Sequence, residues 1–354
     1  MMPPLPCGAS RKLNFIFLNC ADLTPYPSQD FIGTCRQKVP MKRSARKPDL
    51  KKLKAIPLKK RSSKVTVKDF CKPYEKGSTF KGFLDTLPDI LAAKDLKAIA
   101  DRVLTSHQNK RPIVFGMGAH VIKVGLSPLI INLMQRGLIS CIALNGAGAI
   151  HDVEIALEGK TSEDVAASLH KGKFGMALEA GELINKAVQE GLKANEGMGT
   201  SIGKRLLKVS APYAGKSILA MAADHGTPVT VHVSIGSDTI HMHPSFDGAA
   251  TGKLSHNDFQ TFAALVSQLE GGVFFNVGSA VVIPEVFLKA FSLARSAEGP
   301  IKNLTTINMD FIRHYRPSVN VVERPTLSDG KGFHLIGHHE IMLPLLAATI
   351  LEDL

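Results

Sequence analysis

None of the five cysteines stands in a CxxC pair, and the chain has no tryptophan. Cysteine usage of this kind excludes a disulfide framework and fits the reduced thiols of a cytoplasmic protein. Long apolar runs are missing as well. Nothing approaches the roughly 18 residues that a membrane-spanning helix needs. Leu13–Leu18 follows Arg11-Lys12 but is short, is interrupted by Asn14, is followed by Asn19, and lacks a small-residue cleavage site. That argues against a secretory leader. There is no P-loop and no nucleophilic-cysteine motif.

Charge is unevenly spread. The formal net charge is +12, yet residues 1–68 hold 16 Lys/Arg against only Asp22, Asp30 and Asp49. The remaining chain has 27 basic and 28 acidic residues and is close to neutral. The basicity therefore belongs to a tail, expected over residues 1–66 as a solvated, disordered arm. Such an arm can touch RNA or anionic lipid weakly and without specificity. No aromatic residue interleaves the block from Lys42 to Lys64, which argues against base stacking.

From residue 67 onward the pattern is that of one α/β domain. Helical spacing at Phe80, Phe83, Leu84, Leu87, Ile90 and Leu91 precedes the strand Ile113-Val-Phe115. Further strands are expected at Ser140–Leu144, Pro228–Val233, Gly272–Asn276, Leu304–Ile307 and Phe333–Ile336, with helices between them. The Gly-rich stretch 194–208 reads as a loop. Alternation of this kind implies a mostly parallel sheet with helices on both faces. Ligands of such sheets bind outside the carboxyl ends of the strands.

Two segments join an apolar run to a small-residue turn and then to a helical pattern. They are Val114–His120, with Gly116 and Gly118, and Ile142–Asp152, with Gly146 and Gly148. Gly272–Ser279 is a third. Glycines let a backbone come close to a ligand, and a helix N-terminus offers free N–H groups to an anion. Neither of the first two completes GxGxxG, and no acidic residue stands at the usual ribose-binding place. His151-Asp152, just after the second turn, can act in acid/base chemistry. Asp152 can equally compensate a helix dipole. Asp238, His241 and His243 form a D-x-x-H-x-H cluster, and a strand would set both histidines on one face. With His338-His339-Glu340 they suggest a metallohydrolase, but no third ligand motif has recognisable spacing, so no metal is expected. Arg313-His314-Tyr315-Arg316 follows a strand end and can clamp an anion.

In order, these segments resemble the deoxyhypusine synthase family, in particular its bacterial deoxyhypusine synthase-like members. The match rests on the turn at Gly116–Gly125, on Ala147-Gly148-Ala149 with His151-Asp152, on the strand–Gly–helix at 272–290, and on the closing apolar Leu343-Pro-Leu-Leu346. It spans residues 69–354. The resemblance implies a Rossmann-like sheet, a bound NAD and a homotetramer with shared sites. It also implies transfer of an aminobutyl-type group from a polyamine through a lysine imine. By position, Ala119, His120, Lys123, Gly146, Ala147, Gly148, Asp152, Asp238, Gly278 and Ser279 fall at the NAD.

The family's lysine lies in a Trp-Gly-Lys triple, and its counterpart here is Asp329-Gly330-Lys331. Lys331 is therefore the expected imine carrier. Glu285 stands where the family has a histidine. Arg313, His314 and Arg316 stand near the family's polyamine-binding carboxylates, and positive charge there repels a polyamine. A second expectation follows: an NAD-binding enzyme of this fold acting on an anionic substrate, with His151 or His241 moving the proton.

Overall fold

The computed structural model describes residues Lys47–Leu354. The greater part of the expected tail lies outside the described residues, as do residues 13–18, Cys7, Cys20 and Cys35. The chain divides into two units, Met1–Ser62 and Ser63–Leu354. In the first, the described residues hold two short 3-10 turns, Leu50–Lys52 and Leu58–Lys60, and every side chain from Lys47 to Ser62 is exposed.

The second unit is built on six parallel strands in the order β3-β2-β1-β4-β5-β6. They are β1 Ile113–Met117, β2 Cys141–Asn145, β3 Val229–His232, β4 Val273–Val277, β5 Thr305–Asp310 and β6 Lys331–Ile336. The helices are α1 Phe80–Thr86, α2 Leu91–Gln108, α3 His120–Lys123, α4 Ser127–Gln135, α5 Gly146–Glu158, α6 Val165–His170, α7 Leu178–Ala194, α8 Met198–Lys208, α9 Ile218–His225, α10 Gly248–Ser267, α11 Val282–Glu298, the single turn α12 Tyr315–Pro317, and α13 His339–Glu352. This is the doubly wound α/β order, whose direction reverses between β1 and β4. No helix among the described residues is long and apolar enough to cross a membrane.

Both faces of the sheet are covered, which is why its central strands read as continuous apolar runs. On one face Ile99, Ile130, Ala149, Ile202 and Leu346 close over Phe115, Leu144 and Phe275. On the other, Phe262 of α10 and Phe287 of α11 close over Val114, Ala143 and Phe274. The Phe274 and Phe287 rings stack 3.7 Å apart. Each such phenylalanine contributes roughly 1.5–3 kcal/mol through burial.

Two local expectations are corrected. Residues 198–208 are not a loop but helix α8. Its glycines serve close packing: a Cβ on Gly199 would lie 2.1 Å from the Val229 carbonyl oxygen, and one on Gly203 2.3 Å from that of Leu219. His241 and His243 are not on a strand, because the chain winds into a 3-10 turn over Thr239–Met242.

Candidate functional site at the carboxyl edge of the sheet

The turns after all six strands meet along one edge. After β1 the chain runs through Gly118 and Ala119 into α3. A Cβ on Gly118 would lie 2.1 Å from the Gly278 carbonyl oxygen, so the β1 and β4 turns touch. After β2, Asn145 caps α5 by accepting from the Gly148 N–H at 2.8 Å. The loop after β3 returns to the same place. A Cβ on Gly146 would lie 2.1 Å from Asp238 Oδ2.

Asp238 Oδ2 is buried and, among the described residues, has no hydrogen-bond partner. Burial pushes its carboxyl upward, and the nearby His241 opposes that. His241 accepts from the Gly236 N–H at Nδ1, 3.1 Å, while its Nε2 is buried without a partner. Burial holds this imidazole below its ordinary value, with Asp238 pulling the other way. No acidic residue of the β2 turn itself stands here. The carboxylate is delivered from some 90 residues downstream, which residue spacing does not reveal.

Beside Asp238 lies a cavity of about 270 Å³, lined among others by Lys123, Ala147, His151, Glu154, Phe174 and Asp238. It lies just below the usual small-molecule range of roughly 300–1,000 Å³. His151 Nδ1 is 2.6 Å from Thr161 Oγ1 and 3.3 Å from Glu154 Oε2, and the Thr161 hydroxyl donates to Glu154. Burial raises the Glu154 carboxyl, but the bonds from His151 and Thr161 outweigh it and hold it below its ordinary value. Glu154, three residues on from His151 on one helix face, was not singled out in the sequence. Nor was Thr161.

The other half of the edge gathers residues of β1, β5 and β6. The His120 ring lies 5.5 Å from that of His339 and 6.0 Å from that of Phe311. His339 is buried and donates from Nε2 to the Met309 carbonyl at 3.3 Å, leaving Nδ1 without a partner. Burial lowers its imidazole, against the pull of the Met309 bond and Asp310. Asp310, which sequence reasoning passed over, ends β5 as a buried carboxylate 4.0 Å from His314. The 310–316 segment thus carries a buried carboxylate beside its basic residues.

Several expected site residues are placed elsewhere. Lys331 begins β6, opposite Thr305 at the start of β5. It therefore lies at the amino edge, a strand length of roughly 17–20 Å from the carboxyl edge. Its ammonium sits 5.6 Å from the Phe333 ring centroid. Within one chain it cannot carry an imine at the 145–152 turn.

Asp152 is fully buried and ties α5 to the start of α9. It accepts from Ile218 N–H at 2.8 Å, Leu219 N–H at 3.0 Å and the Ser217 hydroxyl at 2.5 Å. Its oxygens are committed there and do not face a ligand. Ser279 is also buried, with its hydroxyl accepting from Ile283 N–H. Arg316 is 3.4 Å from Glu285, which also pairs with Lys289 and accepts from Asn320. Two expected substrate contacts, Arg316 and Glu285, thus satisfy one another. Arg313 makes no ion pair among the described residues and reaches Ser318 at 3.4 Å. No group of three or more potential metal ligands occurs among the described residues.

No protein-family model and no curated protein matches the chain. Solved structures resemble it distantly. One, ascribed to LOR/SDH proteins of Methanococcus maripaludis, shares 16% identity at a TM-score of 0.46, covering 75% of this chain and 71% of its own. AgrE, solved with ornithine and NAD+, shares 13% identity at a TM-score of 0.48, covering 73% of this chain and 33% of AgrE. The chain therefore spans about a third of the length of AgrE. A protein of Entamoeba histolytica ascribed to the deoxyhypusine synthases shares 9% identity at a TM-score of 0.45, covering 78% of this chain and 96% of its own. Likeness at this level concerns the fold alone, an α/β architecture on a parallel sheet.

Proposed function

We propose that the chain is an NAD-binding enzyme acting on a small molecule at the carboxyl edge of this sheet. One observation carries the reading. In a doubly wound sheet the ribose hydroxyls of a dinucleotide are met by a carboxylate near the second strand's end. Asp238 supplies a carboxylate at the end of β2, and its Oδ2 is buried and unpartnered. An acceptor kept unpaired in the interior costs about 1–3 kcal/mol, which a ligand hydroxyl would recover.

The same carboxylate turns a diphosphate away from the α5 N-terminus. It leaves the β1 turn, Ala119 and His120, with Lys123 as the neighbouring cation and Ala147 on the cavity wall. Bound NAD would supply a two-electron acceptor. The residues of this chain would bind it, exclude water and move protons. Aminobutyl transfer through Lys331 is not supported, because Lys331 is at the opposite edge. Arg313, Asp310 and His314 are the polar groups the β5 end offers a substrate.

Calorimetric titration with NAD tests the reading. We expect saturable binding that Asp238→Asn weakens by about tenfold, the value of one charge-assisted hydrogen bond. Absence of binding at millimolar NAD, or equal affinity in the variant, would sink it.

A further inference from the structure

The cavity beside Asp238 holds a set of residues that the cofactor reading does not use. His151 and Glu154 on its wall, with Thr161 behind them, form a closed chain of hydrogen bonds. With Glu154 ionised and the imidazole neutral, proton bookkeeping along that chain is determinate. An ionised carboxylate only accepts, and a threonine hydroxyl has one proton. Thr161 gives its proton to Glu154, so its oxygen must accept from His151. The histidine proton is therefore on Nδ1, and Nε2 carries the lone pair. Among the described residues Nε2 has no hydrogen-bond partner and is not one of the buried unpartnered atoms, and the His151 side chain lines the cavity.

A carboxylate that fixes the tautomer of a histidine, with the second nitrogen free in a pocket, is the arrangement of a general base. Glu154 suits the orienting role, since its bonds from His151 and Thr161 hold it ionised against the effect of burial.

We propose that His151 is a catalytic proton acceptor for a substrate O–H or N–H group in this cavity, with Glu154 and Thr161 as positioning residues. In the step, the substrate O–H or N–H bond breaks and an N–H bond forms at His151 Nε2. The electron pair stays on the substrate oxygen or nitrogen. Glu154 stabilises the resulting imidazolium through Nδ1 and is not itself protonated. The proposal does not depend on which cofactor the edge binds.

The test is nitrogen–proton NMR of the imidazole rings in the full chain, without any nucleotide, with His151→Gln identifying the signal. The expected result is the Nδ1–H tautomer in the wild-type chain, kept in Thr161→Val, where Glu154 still faces Nδ1, and lost in Glu154→Leu. Carbethoxylation by diethyl pyrocarbonate, mapped by mass spectrometry, is the second readout. His151 should be modified in the wild-type chain and more slowly in Glu154→Leu. An Nε2–H tautomer, an unreactive His151, or a tautomer indifferent to Glu154→Leu would overturn the proposal. Because no nucleotide is present, such a failure is distinct from failure to bind NAD.

Discussion

The Asp238 carboxylate rests directly on Gly146, the first residue of α5. A Cβ there would stand 2.1 Å from Oδ2 and 2.4 Å from the carboxyl carbon. Two turns separated by 92 positions therefore share one space, and only glycine at 146 leaves room for it.

Gly146→Ala should expel the carboxylate. The expected cost is about 1–3 kcal/mol of stability from overpacking. NAD affinity should fall by about tenfold as Asp238 leaves its place. Denaturant unfolding alongside calorimetry reads both. Unchanged affinity in a folded variant would dissociate Asp238 from the cofactor.

Lys331→Ala should leave NAD affinity within about twofold of the wild-type value, a change under 0.5 kcal/mol. The reason is its place at the amino end of β6. A tenfold loss, or a borohydride-trapped adduct that the variant no longer forms, would return Lys331 to the site.

Stability should fall as pH rises from about 4 to about 7. Burial pushes the Asp152 carboxyl to about 6 and that of Asp258 to about 7, against the hydrogen bonds that each accepts. Both values lie above the ordinary 3.8, so the folded chain holds these protons more tightly than the unfolded one. Their contribution is complete below the unfolded value and is lost as pH climbs through 6 and 7, on the order of 3 kcal/mol per group. Asp258 Oδ2 accepts from Gly199 and Val231 N–H groups. Asp258→Asn can keep those bonds without a titrating proton, so its thermal midpoint should vary less with pH. A slope equal to the wild-type slope contradicts the assignment.

Gly199→Ala should cost about 1–3 kcal/mol or more, because the neighbour that must yield is the β3 backbone. Val229 carbonyl oxygen would stand 2.1 Å from the new methyl group. A shift of the urea midpoint checks this. An unshifted midpoint would mean that α8 and β3 are less closely packed than described.

Much of the architecture was legible without coordinates. The strand positions followed from apolar runs bounded by Gly and Pro, because a strand covered on both faces must be apolar throughout. The α8 segment was not legible. Its glycines read as loop-formers when scored locally, but they exist to let a helix backbone approach β3 and α9. At the site, His151, His120 and Asp238 were readable as candidates beside their turns. Asp152 was readable too, but its role was not: its partners lie 65–67 residues away in sequence.

What the sequence determined alone is periodicity and local turn chemistry: six strands, the glycine turns, and the contrast between a basic tail and a near-neutral remainder. What only the tertiary structure decided is which polar groups share a space. Asp238 reaches the β2 end, Arg316 is neutralised by Glu285, and Lys331 lies at the far edge of the sheet. The physical reason is that a parallel sheet sends every chain terminus of a strand to one of two edges. Residues near one another in sequence can then be a full strand length apart, while residues far apart in sequence meet at one turn.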